Sequence, residues 1–470
     1  MKKLFLMLLL VPVLAAAKSE DLIWRGLQAP GYKKAQAKAE EEKRTPSSES
    51  EYEQLVKKVL DAKTANDFQA LIESAKANRA KIHDPSAQFL NAHLIYLEAV
   101  RGFFWRVRPF FERGSADNHN IQSLIVSFIK QNVAGISLFS PAQASGALLD
   151  YLASPFEIEG VLVGKIENEA AIQTFINDTL RMKTNDLISA LNQISNARVF
   201  KWDRRISAGA DSFADGLNRE LSFGTEELQL LIAQYDLSVA SMDFLCAYNQ
   251  NGALDFAKQV GGLYGFDAFV KGTFLAVDGV TGDEIYKLLQ KPQNAKLWKL
   301  NKKENIGQKF MTEAGVYIGE ALDRMTDAWS GLKARPANAG FSLPNALISL
   351  DKSTADLYLA NLERLFAGKM VRSLVTGKTA KVYLPKVFNN EAPEDLKKFF
   401  PNDFDMKYKN TVNLELKEGT KAVEYRNFHQ GSAKAWNTEI YQQYFETTDS
   451  DSIARSLRVL NDVAGGFGAK

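Results

Sequence analysis

One cysteine, Cys246, and four histidines are all that this chain of 470 residues offers of the side chains that most often carry metal and nucleophilic chemistry. A single thiol cannot form an intramolecular disulfide, so stability has to come from an ordinary core, which a chain this long can supply. Cys246 lies in SMDFLCAYNQ, whose apolar neighbours read as a helix, and a buried, inert thiol is the expectation. His83, His93, His119 and His429 form no H-E-x-x-H, and no two share a helical turn, which argues against a zinc hydrolase. No metal or cofactor is expected.

An excess of either charge is also missing, with 58 Lys and Arg against 56 Asp and Glu. That balance gives no basic field for nucleic acid, and no such partner is expected. Beyond the N-terminus there is no long uncharged apolar run, so the mature chain is expected to be soluble. Repeated alternating ten-residue segments are lacking and the last residue is Lys470 rather than an aromatic one, so an outer-membrane barrel is not expected.

What is present begins with MKKLFLMLLLVPVLAAAKSE. Lys2 and Lys3 form a basic start, residues 4–14 an apolar core shorter than a membrane span, and Ala15 and Ala17 a small-x-small cleavage site. The pattern predicts a signal peptide over residues 1–17, cut after Ala17, and hence a periplasmic or secreted protein. Residues 14–17 resemble a lipobox with alanine in place of the acylated cysteine, so no lipid anchor is expected.

Residues 18–51 read as a flexible charged leader. Within it Leu22, Ile23 and Trp24 form an apolar cluster, a candidate docking peptide for an envelope partner. Residues 52–376 carry helical spacing and are expected to form one large helical domain, with helices near 168–196, 225–250, 304–332 and 353–372. Helix starts are expected at Asn66, at Ser140-Pro141 and at Thr281. From 377 to 470 the texture changes: KVYLP, TVNLEL and KAVEYRNF alternate as strands do, with Glu418-Gly419 as a hairpin turn, before helices at 433–445 and 452–463. The expected fold class is mainly α, a large multi-helix body with a smaller α+β C-terminal portion containing a short β-hairpin.

Catalytic motifs fail one by one. Gly377-Lys378-Thr379 lacks the second glycine of a phosphate loop, because Arg372 occupies that position. Ser330 and Lys333, like Ser127 and Lys130, match S-x-x-K without the partner motifs of penicillin-binding enzymes. Gly340 to Pro344 only approaches a nucleophile elbow. Glu157 with Glu159, and Asp323 with Asp327, are carboxylate pairs of the kind glycosidases use, but solvated faces explain them. Asp449 with Asp451, and Asp278 with Asp283, do not fit a calcium loop.

The densest aromatic stretch is RGFFWRVRPFFERG, residues 101–114. With residues 88–108 as one helix, Phe89, His93, Tyr96, Leu97, Val100, Phe103, Phe104 and Val107 share a face. So broad a stripe predicts a core helix, with His93 a hydrogen-bonded core residue. Pro109 is expected to end or kink it. Phe110, Phe111 and Arg113 then remain as a candidate partner or peripheral-membrane contact, beside Trp24.

Together these readings predict an exported bacterial envelope protein with a non-enzymatic binding or scaffolding role. The alternatives are an envelope hydrolase acting on cell-wall glycan or peptide, and a peripheral membrane-associated protein.

Overall fold

The computed structural model describes residues 50–112, 146–155, 157–158, 161–162, 164–197, 199–208, 220–253, 255–256, 259, 287–335, 352–374, 376–400, 403–404, 411–414, 423–426 and 433–465. The fold is mainly helical with small antiparallel two-stranded sheets.

Helices α1 (Glu51–Asp61) and α2 (Ala65–Asn78) each open on a capping box, Ser50 with Glu53 and Thr64 with Asp67. The second start therefore falls at Thr64 rather than Asn66. Helix α3 (Pro85–Tyr96) places proline at its first position, and the Asp84 carboxylate accepts from the Ser86 and Ala87 amides at 2.7 and 3.0 Å. A 3₁₀ turn, Leu97–Val100, follows, and α4 (Phe103–Glu112) begins after Gly102.

The expected single helix over 88–108 is thus two. Gly102 takes φ +60°, the left-handed conformation that ends helices, and its amide donates to the Tyr151 carbonyl at 3.0 Å. The break therefore lies at the start of the aromatic stretch, just ahead of Phe103. Pro109, expected to end or kink the helix, sits inside α4; its missing N–H removes one ladder bond, and the helix does not end there but continues to Glu112. Phe89, His93, Tyr96, Leu97, Val100, Phe103 and Val107 are buried as the stripe requires, while Phe104 is half-buried.

Next come α5 (Gly146–Ala153) and the pair β1 (Glu157–Ile158) with β2 (Val161–Leu162). A longer helical run follows as α6 (Glu169–Phe175), a π-turn (Ile176–Arg181) and α7 (Met182–Ile194). Strand β3 (Phe200–Asp203), the short α8 (Arg205–Ala208) and β4 (Glu220–Phe223) form a hairpin that pairs Phe200 with Phe223, their rings stacked at 5.3 Å. Phe89 packs against this hairpin, 5.2 Å from the Phe223 ring.

The body is completed by α9 (Thr225–Ala247), expected to reach 250, and α10 (Ile306–Ala334). Residue contacts run in opposite order along them, Glu226 against Arg335 and Asp236 against Arg324, so the two are antiparallel. By length and composition α9 could cross a membrane, but 72% of its apolar window is buried inside the protein, where it serves as a core helix.

Helix α11 (Lys352–Phe366) ends before Gly368, φ +64°, and residues expected to extend it form strand β5 (Met370–Arg372). This pairs with β6 (Thr379–Lys381). Of the expected strand KVYLP only Lys381 belongs to β6, because Pro385 opens the short helix α12 (Leu384–Phe388). Strand β7 (Asp403–Phe404) precedes the hairpin of β8 (Thr411–Leu414) and β9 (Val423–Arg426), which pairs Leu414 with Val423. Its expected turn at Glu418-Gly419 lies outside the described residues. The expected helix over 433–445 starts instead as β10 (Ala433–Ala435), paired with β7, and only then becomes α13 (Thr438–Tyr444). Helix α14 (Ser450–Gly465) is the last described element.

Among the described residues, one hydrophobic core gathers buried side chains from Tyr52 to Phe400. A second is built by Leu365, Val371, Ala380, Val382, Tyr441 and Val459, among others. Buried Tyr441 ties it together by donating its hydroxyl to the Phe399 carbonyl at 2.7 Å.

Candidate functional site

Helix α9 is apolar enough to be core, yet Glu227, Gln234, Asp236 and Asp243 are buried along it. Burying a carboxylate without a partner is costly, so each must find a donor. Three arginines from other elements supply them, forming three rungs.

In the first rung Arg335, just past α10, bonds both Glu226 and Glu227. Glu227 also accepts from the Gly224 amide at 2.9 Å, which starts α9. In the second, Arg324 Nε donates to Asp236 Oδ2 at 2.9 Å. Its Nη1 reaches Gln229 Oε1 at 2.9 Å and Asn192 Oδ1 of α7 at 3.0 Å. In the third, Arg181 at the end of the π-turn bonds Asp243 and Glu313 of α10, and lies over the Phe310 ring. The second and third rungs each join three elements: the π-turn or α7, α9 and α10.

Asp236 and Asp243 both have 0% side-chain exposure. Burial pushes the Asp236 carboxyl up to about 7, against the pull of Arg324 and with a push from Glu320. Asp243 is likewise pushed up to about 7 by burial, against Arg181. Only one oxygen of each is bonded: Asp236 Oδ1 and Asp243 Oδ2 are buried without a hydrogen-bond partner among the described residues.

Outside the rungs, the buried histidine has both ring nitrogens bonded. His93 sits between the Phe89 carbonyl and the Tyr235 hydroxyl, each 2.8 Å from one ring nitrogen. Burial holds its pKa down to about 4, so the ring is neutral. Cys246 is buried, and burial pushes its thiol up to about 12.

The residues singled out by sequence are dispersed. Trp24 and Arg113 lie outside the described residues, and so do the side chains of Phe110 and Phe111, whose backbone belongs to α4. Glu159, Ser127, Lys130, His119, His429, Asp278, Asp283 and residues 340–344 also lie outside them, with the side chain of Glu157. Asp323, Asp327 and Ser330 are exposed on α10, and Lys333 binds Asp356 at 2.6 Å rather than a serine. Asp449 caps α14, its carboxylate accepting from the Ser452 amide at 2.7 Å. Gly377-Lys378 forms the turn between β5 and β6, with Gly377 at φ +71°.

Sequence reasoning missed the rungs. One signal was available: Asp236 and Asp243 stand seven residues apart, on one face of a helix that is otherwise apolar there.

No protein-family model, curated protein or solved structure matches the chain.

Proposed function

We propose that the chain is exported and acts in a bacterial envelope as a non-enzymatic binding or scaffolding protein, with another envelope protein as its partner. Support for export comes from the leader, with Lys2-Lys3, the apolar residues 4–14 and the Ala15-x-Ala17 cleavage pattern. The non-enzymatic reading is carried by one observation. The described carboxylates raised toward neutrality, Asp236 and Asp243, are enclosed between helices and each is held by an arginine. A glycoside hydrolase needs such a carboxyl where substrate can reach it. Here the same chemistry locks helices together.

Two measurements test this. N-terminal sequencing of the protein recovered from periplasm or medium is expected to begin at Lys18; an uncut chain confined to the cytoplasm would remove the export half. Incubation of the purified protein with cell-wall sacculi is expected to release no soluble fragments. Release of muropeptides would replace the binding role with the hydrolase alternative.

A further inference from the structure

Charge is almost balanced over the chain, but not locally. Residues 364–386 hold six cations, Arg364, Lys369, Arg372, Lys378, Lys381 and Lys386, and no carboxylate. This segment comprises the end of α11, the hairpin of β5 and β6, and the start of α12.

The hairpin has two unlike faces. Val371, Ser373 and Ala380 are buried, and the Ser373 hydroxyl donates to Asp462 of α14 at 2.6 Å. Period-two alternation turns Met370 and Arg372 the other way, and Leu374 follows in the turn after β5. Met370 is 51% exposed and Leu374 40%, two large apolar side chains left in water, one on β5 and one in the turn that follows it. The hairpin is anchored from behind, because Asn361 of α11 exchanges two hydrogen bonds with the Arg372 backbone, at 2.9 and 3.2 Å.

The cations differ in how far they are engaged. Lys381 lies 3.8 Å from Glu446 and Lys386 3.9 Å from Glu391. Lys369, Arg372 and Lys378 are exposed and pair with no carboxylate among the described residues. Arg372 Nε donates to the Gly377 carbonyl at 3.1 Å, which fixes its guanidinium beside the turn that presents Lys378.

Two exposed apolar side chains interspersed along the hairpin with unneutralised cations match an anionic bilayer surface, where apolar groups enter the headgroup boundary and each nearby cation meets phosphate. A soluble polyanion would use the cations alone and leave Met370 and Leu374 in water. We propose that the hairpin of β5 and β6 is a docking site for an anionic phospholipid surface, with Met370 and Leu374 inserting and Lys369, Arg372 and Lys378 contacting lipid phosphates. This goes beyond the binding role above and stands on the hairpin alone, so enzymatic activity or failed export would leave it untouched.

Flotation with vesicles tests it, using the full chain freed of residues 1–17, whose apolar run would partition by itself. The protein is expected to float with phosphatidylglycerol–phosphatidylcholine vesicles at low salt and not with phosphatidylcholine alone. The triple variant K369Q/R372Q/K378Q is expected to weaken partition on the order of 100-fold, and M370S/L374S about tenfold. All five side chains are exposed, so both variants are expected to keep the parent melting temperature. No flotation of the parent chain, equal flotation with uncharged vesicles, or undiminished flotation of either variant overturns the proposal. So does tight binding of inorganic polyphosphate that M370S/L374S leaves unchanged while vesicles are ignored; that result would assign the hairpin to a soluble polyanion.

Discussion

Asp236 and Arg324, 88 residues apart in the chain, meet at 2.9 Å between α9 and α10 with the carboxylate fully enclosed. Breaking such a pair from the cationic side leaves a buried charge without compensation, at a cost of about 3–5 kcal/mol. The folded pKa of Asp236 stands above its unfolded value, so the stability this group contributes is present in acid and lost as pH rises toward 7. Arg324→Met removes the opposing pull and raises that pKa further. Its cost in urea unfolding is expected to reach about 3–5 kcal/mol at pH 8 and to be clearly smaller at pH 5, where the carboxyl takes a proton. An equal cost at both pH values would show that Asp236 is not the group left exposed to the loss.

His93 carries the opposite sign. With its folded pKa lowered to about 4, the stability it contributes is present above its unfolded value of 6.5 and falls away as pH drops through that window. The full swing is about 3 kcal/mol. Its ring resonances in NMR are expected to stay neutral through pH 6 and to titrate near 4. A midpoint near the ordinary value would mean the ring meets water. Tyr235→Phe deletes the hydroxyl bonded to Nε2 and is expected to cost about 1–3 kcal/mol, as a buried polar atom loses its partner.

Cys246 gives a simple kinetic readout. The thiol is 5% exposed and pushed up to about 12, so little reactive thiolate exists at neutral pH and reagents cannot reach it. Alkylation at pH 8 is expected to follow global unfolding, rising steeply across the urea transition. Rapid labelling of the native protein would show that α9 opens locally.

Two glycines of α10 separate packing from propensity. A Cβ at Gly307 would lie 2.7 Å from the Ala247 carbonyl oxygen and 2.8 Å from the Asn301 backbone, atoms that cannot swing aside. Gly307→Ala is expected to cost about 1–3 kcal/mol through overpacking. At Gly319 a Cβ meets nothing within 4 Å, so Gly319→Ala is expected to gain about 0.5–1 kcal/mol from helix propensity alone. Thermal melts of the two variants should move in opposite directions.

Where the sequence was readable, a long periodic signal was the reason. The stripe from Phe89 to Val107 revealed a buried face and a core His93, because each member adds to the same period. That same regularity hid the break at Gly102: the stripe resumes in phase after the turn, so only the glycine itself marks it. The strand Met370–Arg372 was read as helix because three residues carry too little alternation to outvote the helical pattern before them. The rungs were harder still. Asp236 and Asp243 are visible as charges in an apolar helix, but Arg324 and Arg181 lie 88 and 62 residues away, and only the packing of three elements brings them there. The cations of residues 364–386 went unremarked within an expected helix and turn, and their setting depends on Val371 and Ser373 turning inward and leaving Met370 and Leu374 out.

The π-turn at Ile176–Arg181 has a consequence for how the chain varies. A π-turn holds one residue more than the α-turn it replaces, which rotates everything after it by about 100° relative to a straight continuation. The apolar faces before and after Arg181 therefore belong to two different helical wheels, each with its own phase. Losing one residue here would re-phase α7 and swing Thr184, Leu187 and Leu191 off the core they now fill. A gap of one position between this segment and that of a homologue would thus be a large structural event in a very small edit, and the place to watch for it is beside Arg181.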